Sequence, residues 1–280
     1  MKTNTIYKSV EGKNSVLAFY DKILSMSPVP YAEGDVMTSF GTTHFIHFGN
    51  DEKPPLVLLH GSTSNATAWI GDFLEYGTHF NCFVFDMPGE PGKSTENRLS
   101  WDNDEYSDWL NEVLNALNLT AVYMVGLSLG GFAALKFASK FNQRVHKLAL
   151  ISPGGLITPK ASAGIKLIYL STKGEKGIRQ LMNLLMPDGF NSPELTEFFL
   201  MMGKHFIPRT EALKNLKDSE LEKIHCPVYM ITGDCDLYFD SRKISRRLKE
   251  KIPSSTIKIV KDGKHAMVGT SSHVIAFFLA

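Results

Sequence analysis

Only three cysteines occur in the 280 residues, and three cannot all pair. Cys82 falls in a strand-like run, Cys226 just before another and Cys235 in a loop, with no metal-ligand spacing. Reduced thiols in a reducing compartment are the simplest account. Net charge is nearly absent too: 30 Lys and Arg against 29 Asp and Glu leave a formal +1. That balance gives no basis for a nucleic-acid surface or a polybasic membrane patch. The one basic cluster, SRKISRRLKE at Ser241–Glu250, carries apolar Ile244 and Leu248 at helical spacing and reads as a solvated helix face. The N-terminal MKTNTIYKSVEGKN lacks the apolar stretch of a secretory leader, so a cytoplasmic protein is expected. An uncharged run from Val113 to Leu135 is long enough for a bilayer. Asn115, Asn118, Thr120, Ser128 and three glycines interrupt it, however. A strand–turn–helix explains it better, and no membrane span is expected.

What is present is a core. With 43% hydrophobic and 21% charged residues, the chain can bury one large α/β domain, or a core plus an insertion. Ser15–Met26 has helical spacing, and Val36–Gly49 reads as a hairpin around Gly41. Strands and helices then alternate. PPLVLLHG precedes a helix over Thr63–His79, and NCFVFDMPG precedes one over Ser100–Leu119 with Ser100 as N-cap. AVYMVG precedes a helix over Leu129–Phe141, and VHKLALISPGG is a fourth strand. From Leu156 to Glu222 the pattern is helical, rich in Met and Phe and broken by Pro159, Pro187, Pro193 and Pro208. Alternation resumes with CPVYMITGD, a helix over Ser241–Ile252, TIKIVKDG and a closing helix, SHVIAFFLA. The expectation is a mostly parallel, doubly wound sheet of about eight strands with an inserted helical cap. The core occupies residues 1–155 and 223–280 and the cap residues 156–222.

The chemistry centres on Gly126-Leu127-Ser128-Leu129-Gly130, a G-x-S-x-G between a strand and a helix. Such a turn is too sharp for a Cβ at the glycines, and it lifts the serine hydroxyl over the carboxyl end of the sheet. The N–H groups that open the helix then face the charge that develops in acyl transfer. A serine hydroxyl needs a general base within hydrogen-bond reach, and that base needs an orienting acid.

Here the sequence resembles the α/β-hydrolase fold family, from about Val36 to the end, with its order of nucleophile, acid and histidine. The resemblance implies an acid in the loop after the first strand beyond the cap. There Gly233-Asp234-Cys235-Asp236 matches G-x-x-D at Asp236, with Asp234 as the rival. It implies a histidine after the last strand, which is His265, with His273 as the rival. The remaining histidines, such as His44, His79, His146, His205 and His225, show no metal-pair spacing. The oxyanion donors implied are the backbone N–H groups of Leu129 and of Ser62 in LVLLHGSTSN, with His60 and Gly61 shaping that loop. FDMPGEPGKS resembles the family's D-x-x-G-x-G-x-S loop, but two residues separate Gly89 and Gly92 where the pattern has one. It reads as a structural variant, with Asp86 and Ser94 holding the loop. Cys235, between the two acids, reads as an inert, buried thiol.

A serine nucleophile excludes the family's dehalogenases and epoxide hydrolases, which use an aspartate there. The resemblance implies acyl transfer through an acyl-enzyme, without metal or organic cofactor, and a carboxylesterase acting on small to medium uncharged esters. Cap methionines and phenylalanines could line an adaptable apolar pocket, though most of them are expected simply to pack the cap onto the core, and Trp69 could form a pocket wall or equally belong to the core. Two other readings remain open. One is a carbon–carbon bond hydrolase or a perhydrolase; a dienoate acid would need a basic clamp such as Arg179, Lys204 or Arg209. The other is a small-molecule sensor that docks a protein partner.

Overall fold

The computed structural model describes residues 5–190 and 192–280; four residues of the polar start and one of the expected cap lie outside it. Strands β1 (Tyr31–Thr38), β2 (Gly41–Gly49), β3 (Pro55–Leu59), β4 (Asn81–Phe85), β5 (Val122–Leu127), β6 (Val145–Ile151), β7 (Val228–Gly233) and β8 (Thr256–Val260) form one sheet. Its order is β1-β2-β4-β3-β5-β6-β7-β8. The β1–β2 and β2–β4 pairings are antiparallel and all others parallel. This is the doubly wound architecture expected from the sequence.

The central strands are apolar on both faces, so both must be covered. In β3, Val57 and Leu59 face one core while Leu56 and Leu58 face the other, the period-2 alternation of a pleated strand. Helices α3 (Glu105–Ala116), α4 (Leu129–Lys140) and α9 (Ser241–Lys251) close the first face through Trp109, Phe132, Ile244 and Leu248. Helices α1 (Val10–Leu24), α2 (Phe73–His79) and α10 (Ser271–Leu279) close the second through Tyr20, Phe73, Tyr76 and Phe278. The uncharged run Val113–Leu135 is the end of α3, then β5 and the start of α4. Among the described residues no helix is long and apolar enough to cross a membrane.

Several boundaries differ from the sequence reading. Helix α1 starts at Val10, capped by Ser9, whose Oγ accepts the Gly12 N–H at 3.0 Å. Its first turn escapes a periodicity argument because Val10 is 71% exposed. Residues Thr63–His79 divide into a 3-10 helix at Ala66–Asp72 and then α2. Helix α3 begins at Glu105, not after Ser100. Ser100 instead donates its backbone N–H to the Glu105 carboxylate at 2.7 Å, and Trp101 stacks on Tyr106 with ring centroids 5.3 Å apart.

Between β6 and β7 lie α5 (Ala161–Ser171), α6 (Gly174–Leu185), α7 (Pro193–His205) and the short α8 (Asp218–Leu221). Helix α1 packs along α7, so the N-terminal segment joins this insertion to the core. Ile6, Tyr7, Val16, Met202 and Phe206 form a third, separate apolar cluster. The chain beside them pairs backbone to backbone, Ile207 N–H to Ile6 C=O at 2.8 Å and Lys8 N–H to His205 C=O at 2.9 Å. Tyr7 reaches past the cluster to donate its hydroxyl to the Gly92 carbonyl at 3.2 Å. Emptying this cluster should therefore loosen the insertion first. Phe206→Ala is expected to cost about 3–5 kcal/mol in urea unfolding and to bring early proteolytic cuts within α5–α7. A loss under about 1 kcal/mol with an unchanged cleavage pattern would contradict this packing role.

Candidate active site

The site is built where β5 turns sharply into α4. Ser128 has φ 51°, a left-handed conformation rare for a residue with a side chain. The turn closes only because its neighbours are glycines. A Cβ on Gly126 would lie 2.4 Å from the Gly130 carbonyl oxygen, and one on Gly130 would lie 2.2 Å from that of Leu59. Backbone hydrogen bonds hold the strained residue. Its N–H donates to the Ile151 carbonyl at 3.0 Å, and its carbonyl accepts from Gly154 at 2.9 Å and Phe132 at 3.1 Å.

Two loops at the same end of the sheet meet this serine. His265, in the loop after β8, lies with Nε2 3.0 Å from Ser128 Oγ and Nδ1 2.9 Å from Asp236 Oδ2. Asp236, in the loop after β7, is 1% exposed, and its other oxygen accepts the N–H groups of Tyr238 at 2.7 Å and Phe239 at 3.1 Å. Burial by itself would raise this carboxyl's pKa. The His265 hydrogen bond and charge, with the two N–H donors, outweigh burial and hold it below its ordinary value. Tyr238 stands edge-on to the imidazole at 4.7 Å, with Phe239 beside it at 5.8 Å. Asp234 is exposed, and His273 sits next to Lys258 with Nε2 2.6 Å from its ammonium. The arrangement therefore joins Ser128 and His265 to Asp236.

The loop after β3 approaches from the other side. A Cβ placed on Gly61 would be 3.5 Å from the Ser128 Cβ, and Ser62 next to it is exposed. His60 is buried, and its surroundings fix its tautomer. Met87 donates its N–H to His60 Nε2 at 2.9 Å, so the proton resides on Nδ1, which donates to the Gly61 carbonyl at 2.8 Å. Complete burial lowers the ring's pKa and keeps it neutral. Gly61 C=O and Ser62 N–H belong to one trans peptide and point opposite ways. Anchoring the carbonyl on His60 thus sets the direction of the Ser62 N–H. Leu129, at the first turn of α4, has no carbonyl within its own helix to receive its N–H.

The loop after β4 braces this region. Asp86 accepts the N–H of Ala66 and of Lys93, each at 2.7 Å, and Ser94 bridges from the Asp86 carbonyl at 2.7 Å to the His44 N–H at 2.8 Å. Both residues hold backbone, as expected. The sequence reading gave no role to Glu90, one of the two residues between Gly89 and Gly92. Its buried carboxylate accepts the Thr63 N–H at 2.6 Å. The additional residue in the loop pattern was the available signal.

Other candidates lie elsewhere. Of the two alternatives left for Trp69, the structure shows the core, with the ring edge-on to Tyr76 and centroids 6.5 Å apart. Arg179 pairs with Glu175 on α6, and Arg209 bonds the Leu99 carbonyl and Glu211. Met182, Met186 and Met202 are buried. Cys235 is exposed rather than buried, because its loop turns outward while Asp236 turns in. Its donor atom and those of Asp234 and Asp262 lie within 4.8 Å of one another, all three residues being exposed.

Comparison with known proteins bears on the fold. Residues 54–171 match the family model of the α/β-hydrolase fold. A Bacillus subtilis protein described as an uncharacterized carboxylesterase, Nap, is 26% identical over 89% of this chain and 85% of its own length. The carboxylesterase YbfK of the same organism is 24% identical over 93% of this chain and 90% of its own. The crystal structure of naproxen esterase from Bacillus subtilis superposes with a TM-score of 0.87, covering 97% of this chain and 99% of that one, at 22% identity. With the sheet order and the strand–serine–helix turn, these matches show that the chain has the α/β-hydrolase fold.

Proposed function

We propose that the protein hydrolyses carboxylic esters through an acyl-enzyme formed on Ser128. The observation that carries this reading is the continuous hydrogen-bond path from Ser128 Oγ through His265 to Asp236, at 3.0 and 2.9 Å. His265 Nε2 takes the serine proton as Oγ attacks the ester carbonyl, then gives it to the leaving alkoxide. Water enters, loses a proton to the same nitrogen and attacks the acyl-enzyme, and the carboxylic acid departs as Ser128 regains its proton. Asp236 holds the proton of His265 on Nδ1 and stabilises the imidazolium while it exists. The tetrahedral oxyanion sits between the N–H groups of Ser62 and Leu129. Such backbone donors are worth about 10²–10³ in rate each in comparable sites.

The carboxylesterase relatives align over most of their own length, which supports ester bonds as the target. An uncharged substrate of small to medium size fits the cap chemistry. Of the three clamp candidates, Arg179 is committed to Glu175 and Arg209 to Leu99 and Glu211, which leaves Lys204, near the end of α7, as the basic group a dienoate carboxylate would have to use.

On a p-nitrophenyl ester series of increasing acyl length, the wild type should show a burst followed by steady turnover, both abolished by Ser128→Ala. Equal rates for the two proteins, or no turnover on any ester, would exclude this function and favour the carbon–carbon hydrolase or the sensor. The acid is tested separately. Asp236→Asn should lower kcat by about 10²–10⁴, whereas Asp234→Asn stays within about threefold. The reverse pattern would reassign the acid.

A further inference from the structure

We propose that Glu90 is a positioning residue for the oxyanion site, holding the Ser62–Thr63 peptide so that the Ser62 N–H points at the developing charge. The inference rests on the serine-esterase reading and extends it to a residue that never touches substrate.

The peptides on either side of Ser62 are each anchored once. The Gly61–Ser62 peptide is held by its carbonyl on His60, and the Ser62–Thr63 peptide by its N–H on Glu90. Both anchors lead to the loop after β4, through Met87 and through Glu90 itself. Thr63 needs holding because its φ is 57°, a conformation that a β-branched side chain disfavours. Without the acceptor, the Thr63 N–H loses its partner and the strained residue is free to relax. A flip of the Gly61–Ser62 peptide would turn the Ser62 donor away from the substrate oxygen, and release of Thr63 removes the hold on the far side of Ser62 that resists it.

The carboxyl's surroundings fit this task. Glu90 is 6% exposed. Burial pushes its pKa up to about 8, against the Thr63 hydrogen bond and the charges of Arg98 and Arg209, which pull it down. Burial thus favours the neutral form, an acceptor that orients the loop without setting a full negative charge beside a nascent oxyanion. Glutamine reproduces that neutral form and its reach. The two arginines extend the brace towards the cap: Arg98 donates to the Ile207 carbonyl, and Arg209 lies 3.7 Å above the Trp101 ring.

The test compares Glu90→Gln, Glu90→Asp and Glu90→Ala with wild type and Ser128→Ala on one p-nitrophenyl ester, and measures phenylboronic acid affinity as an oxyanion mimic. Asp, one methylene shorter, and Ala should lower kcat by about 10–100-fold with KM within about threefold, and should weaken boronate binding. Gln should stay within about threefold of wild type in kcat and in boronate affinity. Should Asp and Ala fail to fold, Glu90→Met, which fills the space without an acceptor, takes their place with the same expectation. If Asp and Ala keep wild-type kcat while Ser128→Ala is inactive, the inference fails and the esterase reading stands. A Gln variant as impaired as Ala also overturns it. If Ser128→Ala retains full turnover, the esterase reading has failed, and this inference with it.

Discussion

The left-handed backbone at Ser128 is the constraint from which the site follows. A residue with a side chain adopts it only where the surrounding fold over-determines it. Here the Ile151 carbonyl in the neighbouring strand accepts the Ser128 N–H, and Gly154 and Phe132 donate their N–H groups to the Ser128 carbonyl. Glycine at 126 and 130 lets the turn pack against the carbonyls of Gly130 and Leu59. The result is a hydroxyl raised above the carboxyl ends of β3, β5, β7 and β8. That is the edge where the loops carrying Ser62, Asp236 and His265 also emerge. In an open parallel sheet this is where a ligand crevice is expected.

The helical insertion is fastened to these loops and does not hang free above them. Lys160, just before α5, donates its N–H to the Tyr238 carbonyl and its ammonium to the Asp236 carbonyl, both at 2.7 Å. The C-terminal end of α6 receives the N–H of Ala266 on Leu185 at 2.9 Å, and Lys264 bonds the Asn183 carbonyl at 2.7 Å. The residues flanking the acid and the histidine are thus braced by the insertion. Helix α7 is in turn braced by α1 through the Tyr7–Phe206 cluster. Orientation of the imidazole is in this sense a property of the whole chain, from the N-terminal helix to the closing loop.

Much of this was legible in the sequence because it is written in local chemistry. Glycines around Ser128 specify the turn, and buried runs such as PLVLL and VYMIT specify the parallel strands. The resemblance to the α/β-hydrolase fold family, laid on the strands after the cap, implied Asp236 and His265. Other features depend on contacts distant in sequence. Strand β1 begins at Tyr31 rather than Val36 because its first half is an exposed edge held by pairing with β2, not by apolar residues. The choice between Asp236 and Asp234 is one of direction: residue 236 turns inward to meet two N–H groups, while 234 faces water. Position alone left Trp69 open between pocket wall and core, and the 3-10 turn that precedes α2 carries it into the core. Glu90 was hidden because a glutamate in a Gly-Pro loop reads as surface. Only the fold shows that it is buried beneath Thr63.

The most direct test of the account is the crystal structure of the protein inactivated by an organophosphate such as diethyl p-nitrophenyl phosphate. The account expects a phosphorus–oxygen bond at Ser128 Oγ, with the phosphoryl oxygen about 2.7–3.1 Å from both the Ser62 and Leu129 nitrogens. A label on any other residue, or a phosphoryl oxygen turned away from those two donors, would contradict it.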